Sequence, residues 1–207
     1  MTAVKVCGVT RPGDALMLVE LGVDVIGLNF WPQSKRYITR EQAAAIVQEI
    51  RSCNTGTVIV GLFVNHSMED VVEHRDTLGL DRVQLHGDES VAFAEQLGTC
   101  CIKAMPLATE DDLVRAQKFS RVTLLVDSHS PERGGSGLQA NWQLAKELAG
   151  KRDDLWLAGG LRADNVKAAI DVVRPYGVDL ASGVESSPGV KDRVRVQEFL
   201  AAMGKGE

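Results

Sequence analysis

The fold of this chain is most constrained by one alternation, in which a short apolar run is followed by a longer amphipathic segment eight times along the sequence. The apolar runs cover residues 4–9, 25–30, 57–64, 82–86, 101–105, 122–127, 155–158 and 178–181. Short runs of this kind are typical of buried strands, and strands that alternate with helices are typical of parallel βαβ units. The sequence therefore predicts an α/β protein built on parallel strands.

The segments between these runs have the periodicity of amphipathic helices. Their apolar positions recur at helical spacing over residues 40–51, 68–78, 111–119, 141–148, 165–173 and 193–203. Three of them follow a side chain suited to capping a helix, namely Thr39, Ser67 or Thr109. Glycine marks the expected helix ends at Gly22, Gly79, Gly98 and Gly150.

The length of the chain fits a closed barrel. Strands that are nearly continuous in Val, Leu and Ile need cover on both faces, as in a parallel sheet or a barrel. Eight units in 207 residues leave about 26 residues each, which is near the smallest size of a (β/α)8 barrel, about 200 residues. No linker or low-complexity segment divides the chain. We predict a single (β/α)8 TIM barrel of minimal size, one catalytic domain over residues 1–207.

Charge and cysteine content exclude several classes of protein. The formal charge of −5 and the lack of a basic run argue against binding to nucleic acid. Four cysteines without C-x-x-C spacing indicate neither a metal centre nor a disulfide framework. No apolar stretch approaches the roughly 18 residues of a membrane helix, and the amino terminus lacks the apolar core of a signal peptide. We expect a cytoplasmic protein that does not bind a membrane.

Two strand ends carry side chains suited to acid–base chemistry. In a (β/α)8 barrel the active site lies at the carboxyl ends of the strands. The first strand ends in Cys7 and the sixth in Asp127. Because side chains alternate along a strand, Cys7 shares a face with Lys5, and Val4 and Val6 share the other. A cysteine here can be a small buried apolar residue and an aspartate can form a turn, so each position has a structural alternative.

Other polar residues near strand ends are candidates for binding a substrate. Arg36 follows the second strand, and its planar guanidinium suits a carboxylate or phosphate, although a solvated loop charge is the simpler reading. Gln84 and His86 point the same way from the fourth strand. Two polar side chains on one face need partners in a dry core, so a polar pocket is favoured there.

Glycine-rich turns after the last strands suggest a phosphate site. Gly159 and Gly160 follow the seventh strand, and Ser182 and Gly183 follow the eighth. Loops at these two places commonly bind a substrate phosphate in (β/α)8 barrels. Either turn alone could be only structural, whereas both together favour a phosphorylated small-molecule substrate.

The motifs, taken in order, resemble those of the phosphoribosylanthranilate isomerase family over essentially the whole chain. The resemblance is carried by Lys-x-Cys-Gly-x-Thr at 5–10, Phe-x-x-x-Ser-x-Arg at 30–36, and the segments 61–65, 83–87, 157–161 and 178–192. The last segment is the most specific. That family is a minimal (β/α)8 barrel that catalyses one step of tryptophan biosynthesis, so the resemblance implies the same fold and activity here.

The resemblance also implies roles for individual residues. Cys7 corresponds to the general base, Asp127 to the general acid and Arg36 to the group that binds the anthranilate carboxylate. The remaining positions assigned to substrate binding are Gln84, His86, Gly135, Gly159, Gly160, Asp179, Ser182 and Gly183. The chain departs from the family pattern in having Ser136 for Thr and Asn141 for Asp; the first keeps a hydroxyl and the second keeps a helix-capping side chain.

The implied reaction is an Amadori rearrangement, which needs no metal or redox cofactor. An acid protonates the ring oxygen of the sugar and a base removes the C2' proton. The resemblance therefore requires Asp127 to hold a proton, with a raised pKa, and Cys7 to be a thiolate, with a pKa lowered by nearby positive charge.

Two other functions remain open at this point. One is a histidine-pathway aldose–ketose isomerase on the same fold, which resembles a pair of half-barrels with an Asp near the end of the first strand; Cys7 argues against it. The other is a barrel that binds a phosphorylated ligand without catalysis, which would need neither Cys7 nor Asp127. The sequence allows either a monomer or a homodimer.

Overall fold

The computed structural model describes residues 2–127 and 141–205, and in this part of the chain eight parallel strands close into a barrel. The strands are β1 (Ala3–Cys7), β2 (Val25–Asn29), β3 (Val58–Phe63), β4 (Arg82–Leu85), β5 (Cys101–Pro106), β6 (Thr123–Asp127), β7 (Trp156–Leu157) and β8 (Gly177–Leu180). Each strand pairs with the next in sequence, and β8 pairs with β1 to close the ring. The predicted (β/α)8 barrel is confirmed, with one strand inside each predicted apolar run or shifted from it by one residue.

Helices follow the strands on the outside of the barrel. They are α1 (Pro12–Glu20), α2 (Arg40–Ser52), α3 (Met68–Leu78), α4 (Val91–Leu97), α5 (Glu110–Gln117), α6 (Trp142–Ala149), α7 (Val166–Val173) and α8 (Arg193–Ala202). A short hairpin of β9 (Glu185–Ser187) and β10 (Val190–Lys191) lies between β8 and α8. Within the described residues no helix combines the length and the apolar character needed to cross a bilayer.

Local sequence signals set the helix ends much as predicted. Thr39 and Thr109 each form a capping box, with the backbone N–H of Gln42 and Asp112 donating to the hydroxyl, and Ser67 accepts from the N–H of Asp70. Helices α1 and α4 belong to the two predicted units for which no helix bounds were predicted. The apolar residues of α1 extend beyond its buried face, and α4 has only seven residues, so neither has a clear amphipathic pattern.

The barrel has an outer and an inner core. Val4 and Val6 belong to the outer cluster, which packs the strands against the helices, as the alternation along β1 predicts. The inner clusters are made mainly by strand residues facing the barrel axis. Trp156 fills the lower part, where a Cβ at Gly177 would lie 2.6 Å from its ring, so only glycine fits beside it. Cys7 lies in the upper inner cluster, at the end of the barrel where the strands terminate.

Candidate active site

A cavity of about 670 Å³ opens at the carboxyl ends of the strands. Its lining includes every predicted site residue that the structure describes: Cys7, Arg36, Gln84, His86, Asp127, Gly159, Gly160, Asp179, Ser182 and Gly183. Gly135 lies outside the described residues. The barrel thus brings together side chains that are up to 176 positions apart in the sequence, because parallel strands all end at the same rim.

The thiol of Cys7 lies in the floor of this cavity. β1 ends at Cys7 because Gly8 has a φ of +71°, and the side chain is only 8% exposed. Gly27 on the neighbouring strand lies against the sulfur, since a Cβ there would be 2.8 Å from Sγ. Leu62, Val64 and Trp31 pack in the same apolar cluster as the thiol. The result is a buried sulfur with one side open to the cavity.

Buried charges surround Cys7. Lys5 is fully buried and donates to Asp179 Oδ1 at 2.9 Å, and Lys191 Nζ donates to the backbone oxygen of Cys7 at 2.6 Å. Burial opposes the charge of Lys5, but Asp179 and Cys7 outweigh it and raise its pKa. Asp179 thus lies close enough to Cys7 to neutralise part of the positive field of Lys5 and Lys191.

The expectation of a lowered pKa for Cys7 is wrong for the free protein. Burial raises the pKa of the thiol; Lys5 and Lys191 act in the opposite direction, while Asp179 adds to the rise. The positive charge that the chemistry requires is present, but desolvation and the carboxylate of Asp179 outweigh it before substrate binds.

This balance predicts the titration of Cys7 directly. We expect the thiolate absorbance of Cys7, taken as the difference between the wild-type protein and Cys7→Ala during a pH titration, to appear with a midpoint above the ordinary value of 9.0. Below that midpoint the thiol keeps its proton. The exposed Cys53 remains in both proteins and cancels in the difference. A midpoint below 9.0 would mean that the two lysines outweigh burial.

Asp127 lies across the cavity from the first strand, at the end of β6, and is 7% exposed. His86 Nε2 is 3.8 Å from Asp127 Oδ2, and His86 Nδ1 is 3.0 Å from the side-chain nitrogen of Gln84. The predicted polar pocket at the end of β4 is thus present, and it places Gln84, His86 and the carboxyl group of Asp127 next to one another.

Arg36 is held by the hairpin that follows β8. Its Nε and Nη2 donate to the two carboxylate oxygens of Glu185 at 2.9 and 2.7 Å. Ser34 accepts from the backbone N–H of Arg36 and from Asn29, which fixes the loop after β2. Arg36 is thus an oriented, partly buried cation and not the solvated loop charge that was the simpler reading of the sequence.

Glu185 and Lys191 are residues of the site that the sequence analysis missed. Both are buried, and Lys191 Nζ donates to Glu185 Oε1 at 2.6 Å. Burial opposes ionisation of Glu185, but Arg36 and Lys191 outweigh it and hold the pKa of its carboxyl group below the ordinary value. Both residues lie in the motif at 178–192, but their spacing gave no sign that one carboxylate joins two cations.

The glycine turns after β7 and β8 lie side by side. Gly159 and Gly160 have φ of +92° and +61°, and the amide of Asn165 donates to the backbone oxygen of Gly160. A Cβ at Gly183 would lie 2.2 Å from the backbone oxygen of Leu161, so the two loops approach too closely for any other residue. Their adjacent backbones line one side of the cavity, as the prediction of a shared anion site requires.

The fold and this cavity define a class: a (β/α)8-barrel enzyme whose rim places a thiol, a carboxyl group and an oriented guanidinium beside paired glycine turns. A family model described as N-(5'-phosphoribosyl)anthranilate (PRA) isomerase matches residues 4–202. The chain belongs to this family, whose members are isomerases of tryptophan biosynthesis.

Individual relatives agree over nearly their whole length. The N-(5'-phosphoribosyl)anthranilate isomerases of Myxococcus xanthus and Thermotoga neapolitana are each 43% identical, over 96% and 97% of this chain and 94% and 97% of theirs. The crystal structure of the Thermotoga maritima enzyme has a TM-score of 0.90 at 40% identity, covering 99% of this chain and all of that one. Another phosphoribosylanthranilate isomerase, in complex with reduced 1-(o-carboxyphenylamino)-1-deoxyribulose 5-phosphate, has a TM-score of 0.86 at 37% identity, with 99% and 100% coverage.

Proposed function

We propose that this chain converts N-(5'-phosphoribosyl)anthranilate into 1-(o-carboxyphenylamino)-1-deoxyribulose 5-phosphate with Cys7 as general base and Asp127 as general acid. The observation that carries the proposal is that both groups line the same cavity as an oriented arginine and the paired glycine turns. A ligand with a carboxylate at one end and a phosphate at the other fits between these two anchors, and its sugar then lies between the acid and the base.

The rearrangement needs one proton given and one taken. Asp127 donates a proton to the furanose ring oxygen, the C1'–O bond breaks, and the anthranilate nitrogen forms a protonated Schiff base with C1'. Cys7 then removes the C2' proton, and the electron pair moves to give an enolamine. Tautomerisation of the enolamine to the ketone completes the reaction. Each well-placed acid or base typically contributes about 10²–10⁴-fold to the rate.

Neighbouring residues support each proton transfer. Cys7 must lose its proton before it can act, and the ammonium groups of Lys5 and Lys191 stabilise the thiolate that results. His86, whose Nε2 lies 3.8 Å from Asp127 Oδ2, is placed to interact with the carboxylate that remains after the first step. The apolar side chains of Trp31 and Leu62 beside Cys7 suit the aromatic ring of the substrate.

A turnover assay on the purified protein separates this proposal from its two alternatives. Phosphoribosylanthranilate is fluorescent, so its conversion is followed by the loss of fluorescence. We expect turnover with this substrate and none with the aminoimidazole substrate of the histidine-pathway isomerase. Turnover of the second substrate alone would favour that isomerase, and ligand binding without turnover would favour a non-catalytic barrel.

Arg36→Ala tests the carboxylate anchor. A charge-assisted hydrogen bond contributes about 1.5–3 kcal/mol, so we expect KM to rise roughly 10- to 100-fold with a smaller change in kcat. Steady-state kinetics on the folded variant measures both constants. An unchanged KM would remove Arg36 from substrate binding.

We further propose that the barrel acts as one catalytic domain in the cytoplasm, as a monomer or a homodimer. The similar Thermotoga maritima isomerase is described as dimeric. Sedimentation analysis distinguishes the two states of this chain.

A further inference from the structure

Glu185 makes an unusually complete set of contacts for a residue outside the predicted acid–base pair. Its Oε1 accepts from Arg36 Nε, from Lys191 Nζ and from the backbone N–H of Gly189, and its Oε2 accepts from Arg36 Nη2. The side chain is 4% exposed. A carboxylate with this many donors is fixed in position, because any rotation would break several charge-assisted hydrogen bonds at once.

The contact with Arg36 leaves one edge of the guanidinium for another partner. Glu185 occupies Nε and one N–H of Nη2, which is one of the two forked faces that a guanidinium offers. The other edge, formed by Nη1 and the second N–H of Nη2, accepts a planar carboxylate with the same fork geometry. Arg36 also lines the cavity, and among the described residues no hydrogen bond involves its Nη1.

The same carboxylate connects Arg36 to the strand that carries the base. Lys191 donates both to Glu185 Oε1 and to the backbone oxygen of Cys7, so a continuous buried chain runs from Arg36 through Glu185 and Lys191 to β1. The position of the guanidinium is therefore fixed relative to the thiol. A ligand carboxylate bound to Arg36 would in turn be fixed relative to Cys7.

We propose that Glu185 is a positioning residue, which holds Arg36 with one edge turned to the cavity so that the enzyme recognises the substrate carboxylate. The inference rests on the proposed role of Arg36 and adds a specificity element to it. Without this support the arginine would sample several rotamers, and binding would cost the entropy of ordering it.

Binding of two ligands, measured by titration calorimetry without turnover, tests the inference. The first is reduced 1-(o-carboxyphenylamino)-1-deoxyribulose 5-phosphate, and the second is the same compound without its carboxyl group. Glu185→Asp keeps the charge but shortens the side chain by one methylene, so it cannot hold both Lys191 and the fork of Arg36. We expect this variant to raise the Kd of the first ligand about 10-fold and to leave the Kd of the second within about two-fold of wild type.

Equal weakening of both ligands would mean that Glu185 only maintains the shape of the cavity, and an unchanged Kd for the first ligand would also overturn the proposal. Glu185→Gln is the second variant, for which the same carboxylate-selective loss is expected if Glu185→Asp does not fold. Failure of both variants to fold would make Glu185 a residue of stability alone. Glu73→Asp is the matched control, because Glu73 pairs with Arg40 on the surface; we expect no change with either ligand.

The wild-type protein separates this inference from the proposed function. If it binds the two ligands equally, the carboxylate role of Arg36 fails, and the role of Glu185 fails with it. If it prefers the carboxylated ligand but shows no turnover, the proposed catalysis fails while the role of Glu185 is still decided by its variants.

Discussion

Asp127→Asn is expected to lower kcat by about 10²–10⁴-fold, with a folded barrel and a KM close to that of wild type. An amide of the same shape cannot donate a proton to the ring oxygen, so ring opening would lose its proposed acid. Asp127 is buried at the end of β6 with Oδ2 3.8 Å from His86 Nε2, and Asn fills the same space there. Steady-state kinetics with phosphoribosylanthranilate, together with circular dichroism, measures both parts of this prediction.

The matched control for this variant is Asp171→Asn. Asp171 is an exposed residue of α7 that pairs with Lys167 on the surface. The kcat and KM of Asp171→Asn should therefore equal those of the wild-type protein. Near-wild-type kcat in Asp127→Asn would remove Asp127 from the mechanism, and His86 would become the next residue to test as the acid.

Cys7→Ala is expected to lower kcat by a similar factor, about 10²–10⁴-fold, because the variant lacks the thiol proposed to remove the C2' proton. Cys7→Ser keeps the shape, but a hydroxyl ionises far less readily than a thiol, so we expect it to remain well below wild type. Kinetics on both variants, with the Kd of the reduced product analogue measured beside them, separates loss of catalysis from loss of binding.

Cys101→Ala provides the control for removing a buried thiol. Cys101 is fully buried at the start of β5, in the outer core and away from the cavity. Its variant should keep the activity of wild type once folded. Activity in Cys7→Ala equal to that in Cys101→Ala would contradict the role of Cys7 as the base.

The fold of this protein is predictable from sequence because its signals are local. The apolar runs, the capping residues Thr39, Ser67 and Thr109, and the glycine at the end of α3 each act within a few residues. Once the barrel is predicted, the candidate site residues are expected to lie close together, because parallel strands all end at one rim of the barrel. No distance information is needed for this step. That rule is sufficient to place Cys7 and Asp127 in one cavity.

The electrostatics of the site are not predictable in the same way. Lys5 and Asp179 form an ion pair although they are 174 positions apart in the sequence, and Arg36 and Glu185 do so at a separation of 149. No local spacing pattern in the sequence predicts either pair. The sequence predicted a lowered pKa for Cys7, and this prediction was wrong because the contacts that set the pKa join residues far apart in the chain. Positive charge near the thiol could be expected from the chemistry, but its cancellation by burial and by Asp179 depends on depth and distance, which only the folded structure supplies.

A crystal structure of this protein with reduced 1-(o-carboxyphenylamino)-1-deoxyribulose 5-phosphate tests the central claim most directly. We expect the phosphate at the turns of Gly159–Gly160 and Ser182–Gly183, the carboxylate on Arg36, and the C2' carbon within about 3.5 Å of the Cys7 sulfur, with Asp127 on the opposite side of the sugar. A ligand bound in the reverse direction, with its phosphate on Arg36, or one whose sugar does not lie between Cys7 and Asp127, would contradict the account.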